Sequence, residues 1–179
     1  MAPRDATAIA GAAQVEAAAG RLGEAAELYR QALDLQQIAG YASSLAEIEV
    51  VRGNRTEADR FLALSREIDT REAVNGVQLK LDHAVVEADF AVPGAELVAE
   101  ARRGYAHRPG VVGDDALGWV LTRAGRCTEG LRYARRSLRL GTKDALMFFH
   151  AGMAATCAGQ TDEAALQVKV AHRFEQFRI

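Results

Sequence analysis

The chain has 179 residues, 49% hydrophobic and 26% charged, with a net charge of −2. That is enough for one domain, or two small ones, to bury a core without a metal or disulfide to hold it. Thirty-six alanines, three prolines and 6% aromatics exclude collagen-like, disordered and all-β chains and favour helix, where alanine loses no side-chain entropy.

The start, Met1-Ala-Pro-Arg-Asp-Ala, lacks the charged-then-apolar layout of a secretory signal and runs straight into helical pattern. No stretch approaches the roughly 18 apolar residues that span a bilayer. The chain therefore reads as soluble and cytoplasmic by default, and as a trimmed piece as readily as a complete protein. Nineteen Arg against three Lys, with so much Ala, points to a high-GC coding genome.

Along the chain, four segments align: Gly20-Arg-Leu-Gly-Glu-Ala, Gly53-Asn-Arg-Thr-Glu-Ala, Gly125-Arg-Cys-Thr-Glu-Gly and Gly159-Gln-Thr-Asp-Glu-Ala. Their glycines are 33, 72 and 34 residues apart, so the middle gap hides a fifth, irregular copy. Each glycine follows an apolar run of helical period, where a left-handed residue closes a helix. Three residues on, Gly23, Thr56, Thr128 and Asp162 are expected as N-caps of a second helix. Glu24, Glu57, Glu129 and Glu163 follow, favourable in a first turn against the helix dipole. Ala25, Ala58, Gly130 and Ala164 are small enough for close approach of the two helices. Each copy is thus a helical hairpin, short and marginal alone, that gains its stability by stacking.

The period, the small residues in the first helix, the turn glycine and the ladder Ala25, Tyr29, Ala32 and Leu33 resemble the tetratricopeptide repeat (TPR) family. Five TPR-like repeats, at about 6–38, 39–72, 73–110, 111–144 and 145–179, then cover nearly all of a single domain spanning 1–179. In the third, Asp89-Phe-Ala-Val-Pro-Gly replaces the usual turn, while Ala101, Tyr105 and Pro109 recover a second helix and its stop. The latter half also looks like the C-terminal part of longer repeat proteins of high-GC bacteria. The resemblance implies an all-α, right-handed superhelical solenoid of roughly ten helices, whose first helices line a concave groove. It further implies a non-enzymatic scaffold that binds a peptide or protein. The family's carboxylate clamp is absent, because Ala10, Gln14 and Ser44 stand where Lys and Asn would be needed.

In the first repeat the expected groove positions are Ala10, Gln14, Ala17 and Ala18, which offer almost no ligand chemistry. The fourth and fifth repeats offer Asp115, Trp119, Thr122 and Arg123, then Phe149 and Met153. Trp119, Phe149 and Met153 either form an apolar anchor pocket edged by Asp115 and Arg123 or fill the inside of a tight curve. Asp114 and Asp115 read as first-turn capping charge.

Charge is uneven: residues 20–72 hold seven basic and ten acidic side chains, residues 100–143 ten basic and four acidic. Arg132, Arg135, Arg136 and Arg139 share one outer helix face by their spacing. This basic convex face is either a solvated arginine surface or an attractor of polyanions; without interleaved aromatics, nucleic acid is the weaker partner. Cys127 and Cys157, 30 residues apart with no CxxC, are expected as unpaired thiols. His83, His107, His150 and His172 are scattered and read as packing or surface residues.

No catalytic constellation, phosphate loop or metal-ligand spacing is present, so no enzyme activity and no cofactor are expected. The final helix carries Phe174 and Phe177 without a polar cap, so it either folds back on the last hairpin or offers a homodimer surface. The sequence-based reading is a protein-interaction scaffold. The alternative is a regulatory or sensor module whose groove takes a small ligand or signalling peptide.

Overall fold

The computed structural model describes residues 5–75 and 80–175, apart from the side chains of 80 and 173–175. Ten α-helices run through the described residues, and no strand is present among them. They are α1 (Ala6–Ala18), α2 (Leu22–Leu35), α3 (Ala39–Val51), α4 (Arg55–Val74), α5 (Lys80–Phe90), α6 (Ala95–His107), α7 (Val111–Arg123), α8 (Cys127–Ser137), α9 (Ala145–Cys157) and α10 (Thr161–Glu175). Consecutive helices pair as antiparallel hairpins, so the chain is an all-α helical repeat. Phe174 and Phe177, the expected self-association pair, lie outside the described side chains.

One turn is used four times. At the end of α1, Gly20 takes φ +77°, its N–H donates to the Ala17 carbonyl and the Arg21 N–H donates to the Glu16 carbonyl. This is a Schellman closure, which requires a left-handed residue at the glycine position. The Arg21 carbonyl then accepts from the Ala25 N–H, opening α2. A single residue thus ends one helix and begins the next. Gly53, Gly125 and Gly159 repeat the arrangement, with Asn54, Arg126 and Gln160 as the shared residues. The expected N-caps are corrected by this geometry. Gly23, Thr56, Thr128 and Asp162 are each the second residue of their helix, because the Schellman turn leaves room for only one residue between glycine and helix. The turn between α5 and α6 has no left-handed residue, and Gly94 precedes α6 in extended backbone.

The helices assemble into two compact units, residues 1–77 and 78–179. In the first, Ala13, Ala25, Ala26, Ala32, Ala42 and Ala46 have no accessible surface, and Tyr29, Leu45, Phe61, Leu62 and Ile68 supply the bulk. Glu49 is buried with them, taking Arg30 at 2.7 Å, Arg52 at 2.8 Å and the Asn54 amide at 2.7 Å. Burial pushes its carboxyl up, but the Asn54 amide and the two guanidiniums together push it further down, below the ordinary range.

In the second unit, one core cluster joins α5, α6 and α7 through Leu81, Ala84, Val98, Leu117 and Leu121. Another joins α8, α9 and α10 through Leu131, Ala134, Ala151, Ala155 and Ala164. Helices α7 and α8 approach so closely that a Cβ on Gly118 would lie 3.0 Å from the Ala134 amide nitrogen. Cys127 and Cys157 form a disulfide with their Cα atoms 5.1 Å apart, tying the start of α8 to the end of α9. The expectation of two unpaired thiols is therefore corrected: the 30-residue separation closes because each cysteine sits beside a hairpin turn and adjacent hairpins bring those turns together. Sequence spacing hides this.

Candidate functional site

In the second unit α5 packs on α7 and α7 on α9, so the first helices of three hairpins lie side by side. Trp119 occupies the middle of α7 with only 7% of its surface exposed. Its indole stacks on the His150 ring of α9, centroids 4.3 Å apart and planes within 16°. A buried indole N–H needs an acceptor, and Trp119 Nε1 donates to Asp89 Oδ1 on α5 at 2.7 Å. His150 Nδ1 lies 3.0 Å from Asp115 Oδ2, one turn before Trp119 on α7. The guanidinium of Arg123 lies 5.7 Å from the Trp119 ring centroid while its Nε donates to the Ala88 carbonyl at 2.7 Å. Asp89, Trp119, His150 and Asp115 thereby form one continuous polar-aromatic layer across α5, α7 and α9.

Two expected groove residues stand on this layer with surface to spare. Phe149 is 42% exposed, its ring centroid 6.3 Å from that of Trp119, and Met153, one turn on, is 37% exposed. Leu146 extends the same exposed stripe of α9. Asp89 is exposed, with its carboxyl partly shielded from water by the residues packed around it. That desolvation raises its carboxyl above the ordinary range, against the lowering pull of the Trp119 hydrogen bond and of His150 and Arg123.

Not every expected groove residue meets the others. Thr122 is buried, donates to the Gly118 carbonyl at 2.8 Å and faces Gly130 in the α7–α8 interface. Asp115 faces His150, with 12% of its side chain exposed. Asp114, its neighbour, is fully buried and accepts from the Tyr105 hydroxyl at 2.8 Å and from Arg139 at 2.5 Å, with Arg136 at 3.3 Å. Asp114 stands in the first turn of α7 as expected, but its carboxylate is held by Tyr105, Arg136 and Arg139, and that of Asp115 lies against His150.

The same contacts occupy the arginine face. Arg136 and Arg139 turn to Asp114, Arg135 grips Glu163 on α10 through two nitrogens, and Arg132 lies over the Tyr133 ring with Glu129 at 3.9 Å. Arg102 on α6 likewise reaches Glu129 on α8 at 2.6 Å. Second helices are therefore cross-linked by a repeated Arg–Glu rung. Sequence reasoning assigned Asp89 only to an irregular turn and read His150 as one of four packing or surface histidines, without its place beside Trp119. The available signal was that a lone Trp in a helix of small residues must find an acceptor and a flat neighbour.

Among the described residues no group of three or more His, Cys, Asp or Glu side chains is placed to hold a metal ion. No helix among them is long and apolar enough to cross a membrane.

No protein-family model matches the sequence. No curated protein matches it either. Among solved structures the chain is similar to YrrB, described as a TPR protein with an unusual peptide-binding site, at 16% identity and a TM-score of 0.45, over 97% of this chain and 88% of that one.

Proposed function

We propose that the protein is a non-enzymatic interaction module, and that its second unit holds a segment of another protein against α7 and α9. The observation behind this reading is the pair Phe149 and Met153: large apolar side chains left open to solvent directly on a rigid, buried aromatic layer. A side chain at the rim of a fully ordered layer loses little entropy on binding, which is how a small contact becomes a hot spot. Trp119 supports the surface from beneath, and Asp89 and His150 fix its ring.

The test removes the exposed contacts and leaves the layer alone. Phe149→Ala with Met153→Ala is expected to leave the melting temperature near that of the parent and to weaken capture of protein partners about tenfold or more. Val51→Ala in the first unit, also an exposed site, serves as the control with unchanged capture. Equal capture by the double variant and the parent overturns the reading.

A further inference from the structure

Several carboxylates of the second unit are neutralised by arginine. Asp114 takes two guanidiniums, and Asp82, Glu129 and Glu163 take arginines from neighbouring helices. The two carboxylates that flank the exposed α9 stripe take none. Asp89 receives only the neutral indole of Trp119, and its Oδ2 accepts from no described residue. Asp115 meets only His150, and its Oδ1 is buried with no hydrogen-bond partner. Arg123 is the nearest cation, yet it is committed to the Ala88 carbonyl and the Trp119 face and forms no ion pair with either acid. A carboxylate has about four acceptor sites; the exposed Asp89 keeps acceptor capacity that a partner can reach, whereas the spare oxygen of Asp115 is buried.

We propose that the groove of the second unit recognises a basic amphipathic segment of a partner protein. An Arg or Lys side chain of that segment is set on the open Oδ2 of the exposed Asp89, with the buried Asp115 carboxylate adding negative charge in the same layer, and a neighbouring apolar side chain is set on Phe149 and Met153. This rests on the reading that α7 and α9 form the binding face, and it adds the partner's charge. The open Phe149 ring also offers its π-face to the alkyl stem or the cationic head. Charge complementarity selects this occupant: an acidic segment would be repelled by the exposed Asp89 carboxylate, and a purely apolar one would cover it without a donor. Leu146, Phe149 and Met153 cover eight residues of helix, roughly 10 Å from end to end, which suits a few residues of an extended segment.

The probe is a phage-displayed library of random peptides of about 12 residues, panned against the full chain, with enriched peptides then titrated by fluorescence anisotropy. Expected are peptides pairing Arg or Lys with a nearby Leu, Phe or Met. Their Kd should rise about tenfold or more in Asp89→Asn with Asp115→Asn, and should also rise with ionic strength. Asn retains the acceptor oxygens for Trp119 and His150, so the double variant keeps the layer, which an unchanged melting temperature verifies. Acidic or uncharged enriched peptides, or a Kd unmoved by the Asn pair, overturn the basic-partner proposal. The groove reading then survives if Phe149→Ala still abolishes binding. If no enriched peptide responds to Phe149→Ala, both fall.

Discussion

In the first unit one buried carboxylate, Glu49, is held by two arginines and an asparagine, and in the second Asp114 is held by two arginines and a tyrosine. Two hairpins in each unit turn with the same glycine closure. The likeness ends at the first helices. Those of the first unit place Ala10, Ala13, Ala42 and Ser43 in the core, with no aromatic contact between them. In the second, Trp119, His150 and Phe149 are stacked and flanked by acids. Glycines diverge as well: around Gly11 in α1 a Cβ would meet nothing within 4 Å, whereas at Gly118 and Gly130 it would meet backbone at 3.0 Å. One repeat scaffold thus yields a unit of plain alanine packing and a unit of close, cross-linked packing that carries side-chain chemistry.

The largest expected break in this comparison is covalent. Closing the 30-residue separation between Cys127 and Cys157 stabilises by about 3–4 kcal/mol through loss of unfolded-state freedom. Replacing both with Ser should remove that amount from the second unit alone. Hydrogen exchange resolved by segment checks this: α7 to α10 should lose protection while α1 to α4 keep theirs, and equal losses would contradict the division.

Next, Gly130→Ala should cost about 1–3 kcal/mol by overpacking the α7–α8 contact, where Thr122 and the Gly118 carbonyl leave no room. Chemical denaturation would show this as a lower midpoint at unchanged slope.

Acid separates the units by sign. The Glu49 carboxyl is held below its unfolded range, so its stabilisation is present above the ordinary carboxylate pKa and is lost as pH falls through the depressed value. Asp89 is raised, so its ionisation costs stability once pH exceeds the unfolded value, and protonation relieves the cost. Glu49→Gln should therefore flatten the acid limb of first-unit stability. Asp89→Asn should be neutral or slightly stabilising near pH 7. Melting curves across the acid range measure both.

Smallest is a gain. Gly11→Ala sits in an open helix interior and should stabilise the first unit by about 0.5–1 kcal/mol. The same change at Gly118 should destabilise.

The hairpins were legible in the sequence because their cause is local: a glycine at a fixed interval, a small residue five positions on, and helical periodicity between. Position within the turn was not, since Thr56 or Thr128 looks like an N-cap until the Schellman bonds place the helix start two residues earlier. Phe149 and Met153 were legible by register. Asp89, the Trp119–His150 stack and the Cys127–Cys157 bond were not, because each joins different hairpins and depends on side-chain direction across 30 or more residues. The arginine face shows the same limit: spacing placed the four side chains together, but only the fold assigned each its carboxylate.

The shared-residue turn also has a mechanical meaning. A connector whose single residue is locked at both ends stores no slack, so each such hairpin moves as a stiff lever. Within the second unit, compliance is left to the α5–α6 turn, which lacks that closure, and to the joints between hairpins, at 108–110 and 141–144. The disulfide fastens the start of α8 to the end of α9, at the helix ends remote from the joint at 141–144. The angle at which α9 presents Phe149 and Met153 to α7 is thus set by a clasp between two rigid levers.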